Sequence, residues 1–192
     1  MSELFIFDFG NVLIKNIAII PEMARRLKLD EAVLAADYAL YEDSLISGLF
    51  PIEAYYRHLW ETYGAKIEDD IFRTCFHPVR NEGIFPVVDA LRKSGNRVVV
   101  GSNTFSSHWH AIDELDISPH FDFCYASHLI HAVKPQESFF TYIMYKEGFT
   151  AGHTHFIDDT QENVGCASGL GIDAFRYTFN DGELRKHFER YI

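Results

Sequence analysis

The sequence predicts an α/β protein built on a doubly wound, mostly parallel, Rossmann-like sheet with an inserted helical cap. Three observations predict it. The chain opens with an apolar run of β-formers, residues 4–7, that delivers a lone carboxylate, Asp8. Between about 17 and 80 there is no clear strand, and apolar residues recur at helical spacing. From 84 to 176 helix and strand patterns alternate, which demands parallel strands joined by helices on both faces of a sheet. The expected division is a core of residues 1–15 and 81–192 and a cap of residues 16–80.

The elements follow in order. Leu4, Phe5, Ile6 and Phe7 give a strand with the look of a buried one. Met23, Leu27 and Leu29, with Pro21 near the start, predict a first helix, and Ala32, Leu34, Ala35 and Tyr38 a second. Phe50-Pro51 opens a third through Tyr55, His58 and Leu59 to Gly64, and residues 67–76 read as a fourth, stopped by Pro78. Then come helix 84–93, strand 97–100, helix 106–115, strand 121–125, helix 138–147, strand 154–157, helix 161–170 and strand 173–176. No internal repeat is present, and Gly169-Leu170-Gly171 closes a helix where a dinucleotide fingerprint must open one.

Composition narrows the function. With 192 residues, 47% of them hydrophobic, the chain can bury its own core. A net charge of −11, with no basic cluster larger than Arg25-Arg26, argues against a binder of nucleic-acid phosphates. No basic start precedes an apolar stretch and no window reaches about 18 apolar residues, so a soluble, cytoplasmic protein without a membrane partner is expected. Cys75, Cys124 and Cys166 are far apart and odd in number, which fits buried or inert thiols better than disulfides or a zinc site.

Ligands of doubly wound sheets bind at the carboxyl ends of the strands. Three of those ends carry polar residues: Asp8, Ser102-Asn103-Thr104 and Asp158-Asp159, and Lys134 lies in a loop able to reach the same crevice. Two carboxylates about 4 Å apart repel by roughly 4 kcal/mol at an effective dielectric near 20, so three together call for a hard divalent cation such as Mg²⁺. That cation, Lys134 and the amides at the Ser102 turn suit a phosphoryl dianion, and Asp8 is placed to attack phosphorus.

The ordered set Asp8-x-Gly10-Asn11-Val12, Ser102-Asn103-Thr104, Lys134-Pro135 and Asp158-Asp159-x-x-x-Asn163 resembles the haloacid dehalogenase (HAD) superfamily across the whole core. The helical stretch lies where that superfamily places its type 1 cap. Within it, the Asp-x-Gly-Asn-Val form and His108 six positions after Ser102 look most like the α-D-glucose-1-phosphate phosphatase group, which is related to the phosphatase domain of epoxide hydrolases. The resemblance implies a Mg²⁺-dependent phosphatase acting through an aspartyl-phosphate on a small phosphorylated metabolite, a sugar phosphate above all. Asp8 would be nucleophile and metal ligand, the Gly10 carbonyl and Asp159 further ligands, and Asp158 a direct or water-mediated one. Ser102, Asn103 and Lys134 would hold the phosphoryl group, with Asn163 behind them; Asn163 as a helix cap and Lys134 as a solvated lysine are the plain alternatives.

Gly10 departs from the general phosphatase pattern, where an Asp handles the leaving group's proton, a role typically contributing about 10²–10⁴-fold. Either the substrate has a good leaving group, such as an anomeric oxygen, or His108 contacts substrate and supplies the proton; a structural His108 is the plainer reading. The pairs His108/His110 and His153/His155 read as surface histidines, and His128 and His131 flank the approach to Lys134. Aromatics of the helical stretch, Tyr38, Tyr41, Tyr55, Tyr56, His58 and Trp60, read mainly as core, with Tyr41 and Glu42 as candidates to face a substrate. Two other functions stay open: carbon–halogen hydrolysis, in which Asp8 would attack carbon, and a non-catalytic phosphate- or partner-binding module. Gly10 and the Asp158-Asp159 pair count against the first, and the missing acid–base residue favours the second.

Overall fold

The computed structural model describes residues 2–192. Its centre is a five-stranded sheet of β1 (Leu4–Phe7), β4 (Arg97–Ser102), β5 (Phe123–Ala126), β6 (Thr154–Asp158) and β7 (Asp173–Arg176), in the order β5-β4-β1-β6-β7. Every pairing is parallel, with Phe7 opposite Val100 on one side and Ile157 on the other. β1 is therefore central and wholly buried, which its unbroken apolar run requires. The order reverses direction on either side of β1, so Asp8 leaves the sheet at a topological switch point.

The helical stretch contains α1 (Ile20–Leu27), α2 (Glu31–Ile46), α3 (Ile52–Tyr63) and α4 (Ile71–Thr74). Asp30 caps α2 by accepting from the Val33 amide, and Gly64 ends α3 in a left-handed conformation. The expected helix over 67–76 shrinks to α4, because Asp70 caps a helix that starts only at Ile71. Before and after this stretch the chain forms a ribbon that periodicity does not reveal: β2 (Ile14–Lys15) pairs antiparallel with β3 (Val79–Arg80). The apolar cluster around Met23, Leu34, Tyr55, Leu59 and Phe72 is separate from those of the sheet, and reaches it through Phe105 and Val133.

The crossovers are α5 (Phe85–Lys93), α6 (Ser106–Trp109) with α7 (Ala111–Glu114), α8 (Ser127–Ile130), α9 (Glu137–Glu147) and α10 (Gln161–Gly169), and α11 (Asp181–His187) closes the fold. The single helix expected over 106–115 is divided at His110, and α8 and α11 lie beyond the predicted elements. Gly101 inside β4 is forced by packing: a Cβ there would come within 2.8 Å of Ile6 and 3.2 Å of Ile143 on α9. No described helix is long and apolar enough to cross a membrane.

One expectation about the histidines changes. His155 is buried, stacked on Phe5 at 4.4 Å and hydrogen-bonded to Asp173, so among that pair only His153 is a surface residue. A histidine on a strand's inward face is kept there by an aromatic wall and one carboxylate, neither visible in local sequence. The three cysteines are free thiols, and burial pushes the Cys124 thiol up to about 12, well outside the reactive range.

Candidate active site

β1, β6 and the loop after α8 bring four charged side chains together. The Lys134 ammonium donates to Asp8 Oδ1 at 2.5 Å and to Asp158 Oδ2 at 2.7 Å, and all three side chains are buried. Asp159 lies alongside: one carboxylate oxygen from each of Asp8, Asp158 and Asp159 falls within 4.8 Å of the others. Three carboxylates thus face one ammonium, and the surplus negative charge fits a hard divalent cation held by oxygen ligands.

Each of these groups is held by its backbone. Asp8 continues β1, its amide donating to the Ile157 carbonyl at 2.8 Å. The chain then turns at Asn11, which takes a left-handed φ of 54°, a conformation Asn tolerates. That turn sends the Asn11 amide group to Asp159 Oδ2 at 3.0 Å, a partnership the motif alone does not disclose. Asp158 ends β6 and accepts from the Thr160 amide at 2.8 Å and from both-sided contacts of Asn163 Nδ2 at 3.1 Å. Asn163 therefore orients a carboxylate from the first turn of α10 and is more than a helix cap.

Lys134 is fixed by its main chain. Asn103 Nδ2 donates to the Lys134 carbonyl at 2.9 Å, and the Lys134 amide donates to Asn103 Oδ1 at 2.8 Å; the peptide bond to Pro135 is cis. Asn103 thus ties the end of β4 to the lysine loop. Ser102 is buried beside it, and its hydroxyl makes only a long 3.4 Å contact with the Asn103 carbonyl, so it is free to meet a ligand.

Electrostatics follow from burial and charge. Burial pushes the Asp8 carboxyl up to about 7, Lys134 opposes that shift, and Asp158 adds to it. For Lys134 burial acts downward, but Asp158 and Asp8 outweigh it and hold the ammonium above its ordinary range. Lys134 is therefore charged at neutral pH.

A cavity of about 310 Å³ opens beside this cluster, between β4 and α2. Gly10, Ser102, Asn103 and His108 line it, as do Tyr38 and Glu42. Tyr41 instead packs on Phe50, Tyr55 and His58, so of the two candidates from α2 only Glu42 meets the cavity. His128 and His131 donate from Nδ1 to the carbonyls of Thr104 and Ser47 and do not line it. His108 stacks on Phe76 at 4.1 Å with Phe105 at 4.3 Å, and burial pulls its imidazole down to about 4. A ring that is neutral at pH 7 is a poor proton donor, which favours the structural reading of His108 over that of a proton donor to the leaving group.

The fold is shared with known proteins. A family model for haloacid dehalogenase-like hydrolases matches residues 5–176. A HAD family enzyme from Bacteroides thetaiotaomicron, solved as an Asp-to-Ala mutant in complex with magnesium and inorganic phosphate, is similar over 94% of this chain and 96% of its own, with 20% identity and a TM-score of 0.78. A protein from Porphyromonas gingivalis described as a predicted HAD-like family hydrolase is 25% identical over 99% and 98% of the two chains, with a TM-score of 0.77. An L-2-haloacid dehalogenase is 14% identical over 91% and 86%, with a TM-score of 0.66, so the fold by itself does not choose between phosphorus and carbon as the centre attacked. Matched by one model from the first strand of the sheet to the last, the chain belongs to the haloacid dehalogenase-like hydrolase family.

Proposed function

We propose that this protein is a Mg²⁺-dependent phosphomonoesterase for a small phosphorylated metabolite, working through an aspartyl-phosphate at Asp8. The observation that carries the proposal is the buried Lys134 bridging Asp8 and Asp158 with Asp159 beside them. That arrangement leaves one carboxylate fixed for attack while its surroundings are built to balance charge, which suits a dianion and a divalent cation and gives a neutral carbon–halogen bond nothing. Asp8, Asp158 and Asp159, with the Gly10 carbonyl, would hold Mg²⁺, which when bound would offset the charge of the phosphoryl oxygens as the nucleophile approaches.

The chain's own groups account for the remaining steps. Lys134 orients Asp8, favours its ionised form against the effect of burial, and balances charge on the phosphoryl oxygens. The Ser102 hydroxyl and the Asn103 amide receive those oxygens, and Asp8 attacks phosphorus to give the acyl phosphate, which water then hydrolyses. Helices α1–α4 serve as the cap, with α2 forming the roof of the cavity and limiting the leaving group to a small molecule. The test is phosphate release from a panel of phosphorylated metabolites, with and without Mg²⁺. Turnover is expected only with the metal, and Asp8→Asn should lose at least about 10³-fold in kcat. An Asp8→Asn protein as active as its parent, or a parent that releases no phosphate, overturns the proposal.

A further inference from the structure

The cavity beside Gly10 bears on what leaves. Beyond its Ser102–Thr104 end, the wall is mainly apolar, with Ile14, Ile17, Ile19, Ile20, Ile46 and Phe76 joined by Phe9 and Phe105. Three side chains there carry polar atoms: Tyr38, Glu42 and His108. The His108 Nε2 is buried and has no partner. Such a wall offers a hexose few partners for its several hydroxyls, and each hydroxyl stripped of water without one weakens binding. The sugar expected from sequence does not match this lining.

A second, separate observation concerns the proton. Gly10 has no side chain, His108 is held neutral among phenyl rings, and burial raises the Tyr38 phenol above its usual range. Glu42 is the one carboxyl on the wall, and it is exposed to solvent. A leaving oxygen in this cavity therefore departs without a buried acid beside it. A phenol releases its proton near pH 10, whereas an aliphatic hydroxyl resembles water at about 16, so the phenolic oxygen is the one that leaves readily as an anion.

Resting on the phosphatase reading above, we propose that the substrate class is a small aryl phosphate monoester, whose ring the isoleucine-lined cavity receives. An Asp8 carboxylate oxygen bonds to phosphorus as the bond from phosphorus to the aryl oxygen breaks. The aryl oxygen keeps the electron pair, leaves as phenolate and takes a proton from solvent. Water then attacks the phosphorus of the acyl phosphate, restoring the Asp8 carboxylate and releasing phosphate and a proton.

The experiment compares kcat/KM of the full chain with Mg²⁺ for phenyl phosphate, cyclohexyl phosphate, and the 1- and 6-phosphates of glucose. Acetyl phosphate is included as an activated phosphoryl donor. Phenyl phosphate should exceed cyclohexyl phosphate, its near equal in shape, by at least about 100-fold, the contribution of a missing general acid, and both glucose esters by more. Cyclohexyl phosphate or a glucose phosphate matching phenyl phosphate overturns the assignment. A selective loss of the cyclohexyl rate in Glu42→Gln would then identify Glu42 as the proton donor. Turnover of acetyl phosphate alone overturns the aryl class while leaving the phosphatase reading standing. Silence on all five substrates removes that reading itself.

Discussion

Two buried carboxylate centres, one at the sheet and one among the helices, differ in a way that separates a site from a strut. Asp37 on α2 accepts from Tyr55 at 3.0 Å on one oxygen, and from Tyr63 at 2.9 Å and His58 at 2.7 Å on the other. Every partner comes from α3, so this one carboxylate locks two helices together with both of its oxygens hydrogen-bonded by the protein itself. At the sheet, three carboxylates converge on a single ammonium, and the neighbouring residues Gly10 and Ser102 line a cavity. Burial of an acid is common to both places. What marks the functional one is the crowding of three like charges around a single cation.

The strongest way to break this contrast is Lys134→Met. Removing the cation from two buried carboxylates should cost about 3–5 kcal/mol of stability in metal-free protein, measured by denaturant unfolding. Mg²⁺ should recover part of that loss. A variant as stable as the parent would mean that the pairs at the sheet are no more strained than the Asp37 network.

Between the two centres stands His108, which touches Phe72 of the helical layer and Phe105 of the core. Its pKa is about 4 folded and 6.5 unfolded, so protonation favours the unfolded chain between those values. Its own contribution to stability should be full above about pH 6.5 and decline by up to about 3 kcal/mol as the pH falls to about 4, opposite in sign to that of the Asp8 carboxyl, whose raised pKa favours the folded chain as the pH falls. His108→Phe should flatten that slope, and an unchanged slope would place the titrating group elsewhere.

Asp37→Ala should cost about 2 kcal/mol by orphaning three donors, while the Mg²⁺ dependence of turnover stays as it was. A changed metal dependence would erase the distinction between strut and site. The smallest effect is expected at Gly10. Its φ lies outside the left-handed region, and an added Cβ would meet only the Ile17 side-chain end at 3.2 Å. Gly10→Ala should therefore change stability by less than about 1 kcal/mol. That outcome would show that the missing side chain is not a demand of the backbone.

The same contrast explains what could be read from sequence. Asp8, Ser102, Lys134 and Asp158-Asp159 were legible because strand ends in an alternating pattern have only one place to converge. Their supports were not: Asn11 reaches Asp159 across 148 positions, and Asn103 grips the backbone of Lys134 across 31. Asp37 sits in a helix whose residues are apolar on most faces, so periodicity could not single out its buried side. The β2–β3 ribbon escaped because two residues carry no period. His108 was visible, but Phe72 and Phe76, which pack against it, come from another part of the chain and reverse its apparent chemistry.

That ribbon has an evolutionary consequence. Because Ile14–Lys15 and Val79–Arg80 lie side by side, whatever joins them begins and ends at one place. To the sheet, the polypeptide between them is a closed loop, and lengthening such a loop adds only about 0.6 kcal/mol per doubling. The roof of the cavity can thus be lengthened, shortened or exchanged through inheritance while β1 keeps its aspartate in place. Selectivity and chemistry can be revised on separate schedules.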